Sequence, residues 1–212
     1  PKAKEFQEIY QGREIGTLKA PEFLQALREY ESIQETGVKP FLYASLLFAE
    51  NTQNNQYQAL MQQAKEKWNE LETQLLFFRL ALMRLPEEQL CSFLEYEPLR
   101  AYEHALRFLR RFRDFTRSEK EEEIINRKNL TGRSAFTTLF DEFIGSFIFR
   151  LTMEGKEEEF TGSEMLAMLY SPDRDLRERA LITFLKHHEQ NHLVLTSIFN
   201  ALILDSRVED EI

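Results

Sequence analysis

Two histidines and a glutamate late in the chain have the types and spacing of a zinc site. His188, Glu189 and His192 match the pattern H-E-x-x-H. On a continuous helix, histidines at positions i and i+4 share one face and can bind one zinc ion, and the glutamate beside the first can act as a base on a zinc-bound water. The pattern therefore raises the hypothesis of metal-assisted hydrolysis.

A catalytic zinc needs a third protein ligand, and the residues after His192 offer a poor one. The first downstream carboxylate is Asp205, which on a continuous helix lies about 20 Å further along the axis. The face that the two histidines share is otherwise apolar, with Leu181, Leu185, Leu195 and Phe199. We therefore predict that His188 and His192 are structural, that the match is coincidental, and that this segment has no catalytic residue, metal ligand or cofactor.

A second run, Arg107–Arg117, mixes arginines with aromatic residues, a pattern also found in nucleic-acid-binding segments. The spacing of Phe108, Phe112 and Phe115 predicts a core stripe on one helix face. The arginines are then expected on the solvated face, paired with acids such as those of Glu121–Glu123. The chain has 27 Lys and Arg against 36 Asp and Glu, a net charge of −9. Because phosphate backbones and anionic membranes repel such a chain, we expect no nucleic-acid partner and no membrane partner.

Cysteine and apolar content bear on the compartment. Cys91 is the only cysteine, so no disulfide can form within the chain, and we predict a small core residue in a reducing, cytoplasmic compartment. The most apolar stretches, Phe41–Ala49 and Leu75–Leu85, are too short to span a membrane. The chain begins with Pro1 and has no signal-like apolar core, so we expect a fragment of a longer protein.

The elements that must position these residues are mostly helices, because 7 Gly and 6 Pro in 212 residues leave few breakers. Apolar residues recur every three or four positions along one seam and predict a long helix over about 53–85, which can pack antiparallel in a bundle. Pro21 and Gly37 predict the start and the end of an earlier helix, and Pro40 predicts the start of the next, which ends near Glu50.

Short polar motifs predict where the later helices begin. Two segments, Ser118–Glu121 and Thr161–Glu164, have the spacing of capping boxes, in which the first side chain and the last one bind each other's backbone N–H. The run Ser171–Asp173 predicts the start of a final helix that continues without a breaker to about Asp205.

One stretch has strand periodicity instead. From Ser146 to Thr152 the residues are mainly β-branched and aromatic, with Phe147, Phe149 and Leu151 alternating against Ile148, Arg150 and Thr152. Gly155 supplies a turn, which predicts one β-hairpin over about 146–161. The predicted fold is therefore all-α, an antiparallel multi-helix bundle with one small β-hairpin. We predict an N-terminal helical bundle over residues 1–115 and a second helical domain over 116–212 with the hairpin and a long C-terminal helix.

Several stretches, taken together in their order, resemble a known family. They are Tyr43–Thr52, Glu70–Phe78, Ser118–Glu122, Ser134–Phe143, Phe147–Phe160, Leu169–Ala180 and Ile198–Leu202. Their order and spacing are similar to the N-terminal region of the oligoendopeptidase F family of zinc metallopeptidases, relatives of the thimet-type oligopeptidases. The resemblance covers nearly the whole chain, and the ordered set is far more specific than any single stretch.

The resemblance implies a helical hydrolase whose two parts enclose a channel that only short, unstructured peptides enter. It places the family's zinc, and its H-E-x-x-H helix, in a C-terminal part that would follow Ile212. For this segment it implies one wall of the channel, with the hairpin near the path of the peptide, and no catalytic residue. The implied partners are short peptides, bound with the full-length enzyme, and the missing C-terminal catalytic domain. Zinc is implied in the parent enzyme and not in this segment.

Three functional hypotheses follow. The first is a non-catalytic scaffold or substrate-channel portion of a zinc-dependent oligopeptidase, inactive alone although its parent is a metalloendopeptidase. The second is a self-contained small zincin that uses His188, Glu189 and His192. The third is a helical protein-interaction module that uses an apolar groove or the seam of the long helix.

Overall fold

The computed structural model describes residues 1–211 and is mainly helical. Its elements are α1 (Lys2–Tyr10), α2 (Ala20–Glu50), α3 (Asn55–Arg84), α4 (Glu87–Leu94), α5 (Glu103–Arg110), α6 (Glu119–Asn129), α7 (Arg133–Gly145), β1 (Phe149–Met153), β2 (Lys156–Phe160), α8 (Gly162–Met168), α9 (Arg174–Gln190) and α10 (His192–Glu211). Short 3-10 helices occupy Ile15–Thr17, Glu97–Tyr102 and Arg113–Phe115. The prediction of an all-α fold with one small hairpin is confirmed. Among the described helices, none combines the length and the apolar character needed to cross a membrane.

The chain divides into two compact units. The first unit contains Pro1–Leu46 and Leu60–Lys128, and the second contains Leu47–Ala59 and the chain from Asn129 onward. Nearly all of α6 thus belongs to the first unit. The domain boundary that we placed between residues 115 and 116 stays a prediction, because a compact unit is not a segment shown to fold alone.

In the first unit, α2 and α3 pack against each other in antiparallel directions. The side-chain amide of Gln34 donates a hydrogen bond of 3.2 Å to the carboxylate of Glu72. Seven residues later in α2, the ring of Phe41 stacks on that of Trp68, with centroids 6.3 Å apart. Because a later residue of α2 meets an earlier residue of α3, the two helices run in opposite directions, as expected for the bundle.

Helix α2 continues through Gly37 and Pro40, where we predicted one helix to end and another to begin. That prediction was wrong. A Cβ atom at Gly37 would lie 2.2 Å from a methyl carbon of Leu71, so this glycine allows a close approach of α3 and does not end the helix. Pro40 lacks a backbone N–H and costs one helical hydrogen bond. Packing against α3 keeps the helix continuous, and Ala44, one turn later, is fully buried.

The core of the first unit is largely aromatic. The ring of Phe6 in α1 lies 6.0 Å from that of Phe77 and 5.0 Å from that of Phe78, both in α3. Phe23 of α2 stacks on Phe93 of α4 with centroids 4.2 Å apart. Offset and edge-to-face ring pairs add stability beyond the apolar area that they bury. These rings therefore join four helices into one core.

Both predicted capping boxes are present. Ser118 Oγ accepts a hydrogen bond of 3.4 Å from the N–H of Glu121, whose carboxylate accepts the N–H of Ser118 at 2.9 Å. Thr161 and Glu164 make the same pair of bonds at 3.3 Å and 2.7 Å. The bonds from Ser118 lower the pKa of Glu121, and those from Thr161 lower the pKa of Glu164. The motifs thus satisfy free N–H groups at the starts of α6 and α8.

The hairpin belongs to the second unit, and its predicted position is confirmed. Strands β1 and β2 pair antiparallel, with Met153 opposite Lys156. The two residues between them, Glu154 and Gly155, have φ values of 50° and 81°. Positive φ at both central residues is the requirement of a type I′ turn, whose twist matches that of the strands.

The second unit has its own aromatic core beneath the hairpin. Its buried members are Phe147, Phe149, Met165 and Ala180. They come from β1, α8 and α9, and Phe147 lies two residues before β1. On the other side of the unit, α10 packs against α7, where the rings of Phe140 and Phe199 meet edge to face at 5.5 Å.

Candidate functional site

The H-E-x-x-H segment lies at a break between two helices. Helix α9 ends at Gln190, Asn191 has φ −103° and ψ 12°, and α10 begins at His192. The N–H of Asn191 donates to the carbonyl of His188, three residues back, instead of four. Our prediction of one continuous helix to about Asp205 was wrong, because the backbone turns at Asn191. The two histidines therefore lie on different helices.

His188 is part of the aromatic core. Its Nδ1 donates a hydrogen bond of 2.8 Å to the carbonyl of Phe184, and the two rings lie 4.2 Å apart. The ring of Phe147 lies 5.3 Å away and meets it edge to face. These contacts give the imidazole a packing role at the end of α9.

His187 lies against the same core. Its ring is 4.6 Å from that of Phe147 and 4.8 Å from that of Phe149. Burial, and then the charge of the neighbouring His188, lower the pKa of His187 from its ordinary value of 6.5. The lowered pKa favours the uncharged imidazole, which can offer a hydrogen-bonding nitrogen without a charge.

The donor set around the motif does not fit a zinc site. Glu189 and His192 are exposed, and Nδ1 of His192 donates to the carbonyl of Glu189 at 2.7 Å. His188, in contrast, is held among phenylalanine rings. Among the described residues, no group of three or more His, Cys, Asp or Glu side chains could hold a metal ion. These residues therefore do not supply the ligands of a zinc site, and the coincidental nature of the motif stays a prediction.

A shallow cavity opens beside the hairpin in the second unit. It has a volume of about 380 Å³ and is lined by Ile148, Arg150, Glu159 and His187. The guanidinium of Arg150 donates two hydrogen bonds of 3.0 Å to one oxygen of Glu159 across the strands. The cavity thus offers a paired cation and anion, an imidazole and an aliphatic side chain. These groups can contact both the polar backbone and the apolar side chains of a peptide.

The sequence did not predict this cavity, although the alternation of residues in β1 predicted which side chains face it. The alternation in β1 predicted Phe149 and Leu151 on one face and Arg150 on the other, and the structure buries the first two and exposes the third. The position of His187 could not be inferred, because it depends on how α9 packs against the strand.

The first unit has a larger groove on α1 and α2. It has a volume of about 690 Å³ and is lined by apolar residues, among them Phe6, Ile9, Leu24 and Ile33, and by charged ones, among them Lys2 and Arg28. The mixture of apolar floor and charged rim is typical of a surface groove. Its lining also includes Ser32 and the carboxylates of Glu5 and Glu29.

The run Arg107–Arg117 does not form the predicted core stripe. Phe108, Phe112 and Phe115 are all exposed, Phe115 with 82% of its surface accessible. Helix α5 ends at Arg110, and the chain then turns into the 3-10 helix Arg113–Phe115. The three rings therefore do not share the face of one helix, and the prediction from their spacing was wrong.

Arg107 and Arg110 pair with an acid of a neighbouring helix, as expected, but that acid is Glu87 of α4 and not one of Glu121–Glu123. Arg107 donates to one carboxylate oxygen of Glu87 at 2.6 Å, and Arg110 donates to the other. Hydrogen bonds from Arg110 and Arg107 lower the pKa of Glu87 to about 2. Glu123 pairs with Arg127 at 2.7 Å. The network is an ion-pair cluster between the start of α4 and the last turn of α5, and it contains no acid–base pair poised for catalysis.

Cys91 lies on the surface beside this cluster. The thiol was predicted to be a small core residue, but it is exposed. Its Sγ donates to a carboxylate oxygen of Glu87 at 3.5 Å. The prediction failed because the apolar face of α4 is formed by Leu90, Phe93 and Leu94, and Cys91 points away from it.

Comparison with known proteins identifies similar chains. The family model described as Oligopeptidase F matches residues 82–149. Oligopeptidase PepF of Bacillus subtilis (strain 168) is 25% identical over 175 residues, which cover 81% of this chain and 26% of the relative. The chain thus spans about a quarter of the length of the curated relative that it matches.

Solved structures show the same fold. The crystal structure of oligoendopeptidase-F from Enterococcus faecium matches 99% of this chain and 40% of its own, with a TM-score of 0.80 and 20% identity. A protein of Chlamydophila abortus described as a peptidase matches 98% of this chain and 37% of its own, with a TM-score of 0.54 and 17% identity. Nearly all of this chain therefore has a counterpart within a larger fold.

Proposed function

We propose that this chain, which is similar to part of oligopeptidase F proteins, is the N-terminal, non-catalytic scaffold of a zinc-dependent oligopeptidase that hydrolyses short peptides. The proposal rests mainly on how much of this chain, and how little of the larger protein, the structural match includes. Almost the whole chain matches 40% of the solved oligoendopeptidase-F. The broken H-E-x-x-H segment supports a structural role for its histidines. Zinc, and the residues that activate water, are then supplied by the rest of the parent enzyme.

We assign the peptide-facing role to the hairpin cavity. Its lining combines Arg150 and Glu159, paired across the strands, with His187, whose pKa is lowered. In the parent enzyme these groups would contact the substrate and orient it, without taking part in bond cleavage. A single cysteine, which allows no disulfide within the chain, is the support for a reducing, cytoplasmic location.

Metal content and activity of the 212-residue chain test the scaffold role. We expect no stoichiometric zinc after purification in zinc-containing buffer, and no cleavage of short fluorogenic peptides. Glu189→Gln should leave both measurements unchanged, as should Glu178→Gln, a matched change at another exposed glutamate of α9. One zinc per chain together with cleavage that Glu189→Gln alone abolishes would show a self-contained zincin and refute the proposal.

The peptide-facing role of the hairpin is tested in the whole enzyme. Arg150→Ala should raise KM for short peptides several-fold and leave kcat nearly unchanged, because the side chain would contribute binding and not chemistry. Lys156→Ala, at the exposed start of β2, is the matched control and should change neither constant. An unchanged KM in Arg150→Ala would remove the hairpin from the substrate path.

A further inference from the structure

Helix α10 has a second apolar face that stays exposed among the described residues. We call it the outer stripe, formed by Leu193, Ser197, Ala201, Leu204 and Val208. The spacing is four, four, three and four residues, that of a helix–helix seam. The exposed fractions of its large side chains are 72% for Leu193, 60% for Leu204 and 46% for Val208. The stripe extends about 22 Å along the helix axis.

The outer stripe is separate from the face by which α10 packs in the second unit. That inner face carries Ile198, which is buried, and Leu195 and Leu202, which are half-buried. At about 100° per residue, the centres of the two faces are roughly 130° apart around the helix. A helix with apolar residues around so much of its circumference is typical of a protein interior. One face of α10 is therefore buried and the other has the composition of a buried face.

The polar groups of the outer stripe do not need water. The hydroxyl of Ser197 donates a hydrogen bond of 2.8 Å to the carbonyl of Leu193, within the helix itself. The stripe contains no charged residue. With Ser197 and Ala201 at its centre, the middle of the stripe is shallow, so a second helix can approach closely. Burial of the stripe would thus leave no polar side chain without a partner.

We propose that a helix from the part of the parent protein outside these 212 residues packs on the outer stripe. The inference rests on the proposed function, since it requires a longer protein. Its support is that the chain spans 26% of its curated relative and 40% of the solved oligoendopeptidase-F. The occupant is a helix with its own apolar seam and small or aliphatic residues opposite Ser197 and Ala201.

A second copy of this chain fits the stripe less well. A helix face of this length offers a footprint of about 22 Å by 10 Å. A stable complex between separate proteins buries ~800 Å² on each partner. A segment of the same protein needs far less area, because its effective concentration is in the millimolar range. The size of the stripe therefore favours an intramolecular partner.

Cysteine labelling tests the proposal in a background without the exposed Cys91 (Cys91→Ser). Leu204→Cys places a thiol on the outer stripe, and Glu178→Cys places the matched control on the exposed side of α9. Maleimide labelling is compared in the 212-residue chain and in the whole protein. We expect similar rates for both thiols in the short chain. In the whole protein, the thiol at position 204 should react at least about tenfold more slowly, and the control should not change.

Two outcomes would overturn the proposal. Equal labelling of position 204 in both proteins would show that the stripe stays open. Protection of position 204 in the short chain that grows with protein concentration would show that a second copy is the occupant. Zinc content and peptide cleavage of the same whole protein are measured in parallel. Protection of position 204 without either property would refute the oligopeptidase assignment and leave the docking surface intact.

Discussion

The two compact units differ in how much of their own apolar surface they bury. Among the described residues, twenty buried side chains form the core cluster of the first unit, whereas four form the aromatic cluster of the second. The first unit closes α1, α2, α3 and α4 around interlocking rings such as Phe6 and Phe78. The second arranges its helices around a two-stranded hairpin, which is too small to cover them.

The second unit also has long stretches of exposed apolar side chains. In the second unit, α9 and α10 expose large aliphatic side chains, among them Leu181, Leu185, Leu193 and Leu204. This exposure lowers the stability that the chain could have, because an exposed leucine does not contribute the free energy of burial. The first unit therefore holds most of the buried apolar side chains, whereas aliphatic side chains of α9 and α10 in the second unit stay exposed in this chain.

The largest effect is expected in the core of the first unit. Phe78 has no exposed surface and contacts Phe6 edge to face. Phe78→Ala should lower the free energy of unfolding by about 3–5 kcal/mol, since it leaves a cavity among packed rings. Urea unfolding followed by the fluorescence of Trp68, the only tryptophan, measures it. Leu60→Ala, at a partly exposed site on α3, is the control. A loss below about 1 kcal/mol would contradict a rigid core.

A smaller effect is expected in the second unit. Phe149 is buried and its ring stacks on that of Phe184, with centroids 5.4 Å apart. Phe149→Ala should cost about 2–3 kcal/mol, because half-exposed neighbours can collapse into the space. The loss should appear in far-UV circular dichroism and leave the Trp68 transition, which reports the first unit, unchanged. Ile148→Ala, on the exposed face, is the control. An equal shift of both transitions would show that the units unfold together.

Helix caps allow a matched comparison of the two units. Ser118→Ala in the first unit and Thr161→Ala in the second should each cost about 1 kcal/mol, because each removes one cap on a free N–H. The first loss should be seen by Trp68 fluorescence and the second by circular dichroism. Thr161→Ser keeps the hydroxyl and should restore most of the stability. If Thr161→Ser were as unstable as Thr161→Ala, the hydroxyl would not be the source of the effect.

The smallest effect is expected from the ion-pair cluster on the first unit. Hydrogen bonds from Arg110 and Arg107 lower the pKa of Glu87 from 4.5 to about 2. Because the folded pKa lies below the unfolded one, the stability that Glu87 adds is complete above pH ~4.5 and is lost as the pH falls towards 2. The difference in urea midpoint between the wild type and Glu87→Gln should therefore be small at pH ~6 and vanish near pH ~2. Glu88→Gln should show no such pH dependence.

Local motifs predicted the parts of the fold that depend on a few neighbouring residues. The capping boxes at Ser118 and Thr161 and the turn at Gly155 lie where the sequence placed them. The long helix α3 was predicted from its seam, which is strong because it repeats over many turns. In each case the information needed is contained within the segment itself.

Some of the errors depend on a distant segment, and others depend on where a helix ends. Gly37 has the position of a helix end, but its role is set by Leu71 of another helix. The spacing of Phe108 and its two partners predicts a stripe only if α5 continues, and it ends at Arg110. The break at Asn191 had one local signal, since asparagine tolerates the conformations that end helices. The hairpin cavity needed the packing of α9 and could not be inferred.

The close approach of α2 and α3 couples the residues that positions 37 and 71 can carry. Since a Cβ atom at Gly37 would lie 2.2 Å from a methyl group of Leu71, a larger residue at position 37 requires the side chain at position 71 to shift or to be smaller. The reverse does not hold, because a smaller side chain at 71 leaves only a void. In any set of related chains, a gain of volume at 37 should therefore accompany a change at 71, whereas a loss of volume at 71 can occur alone.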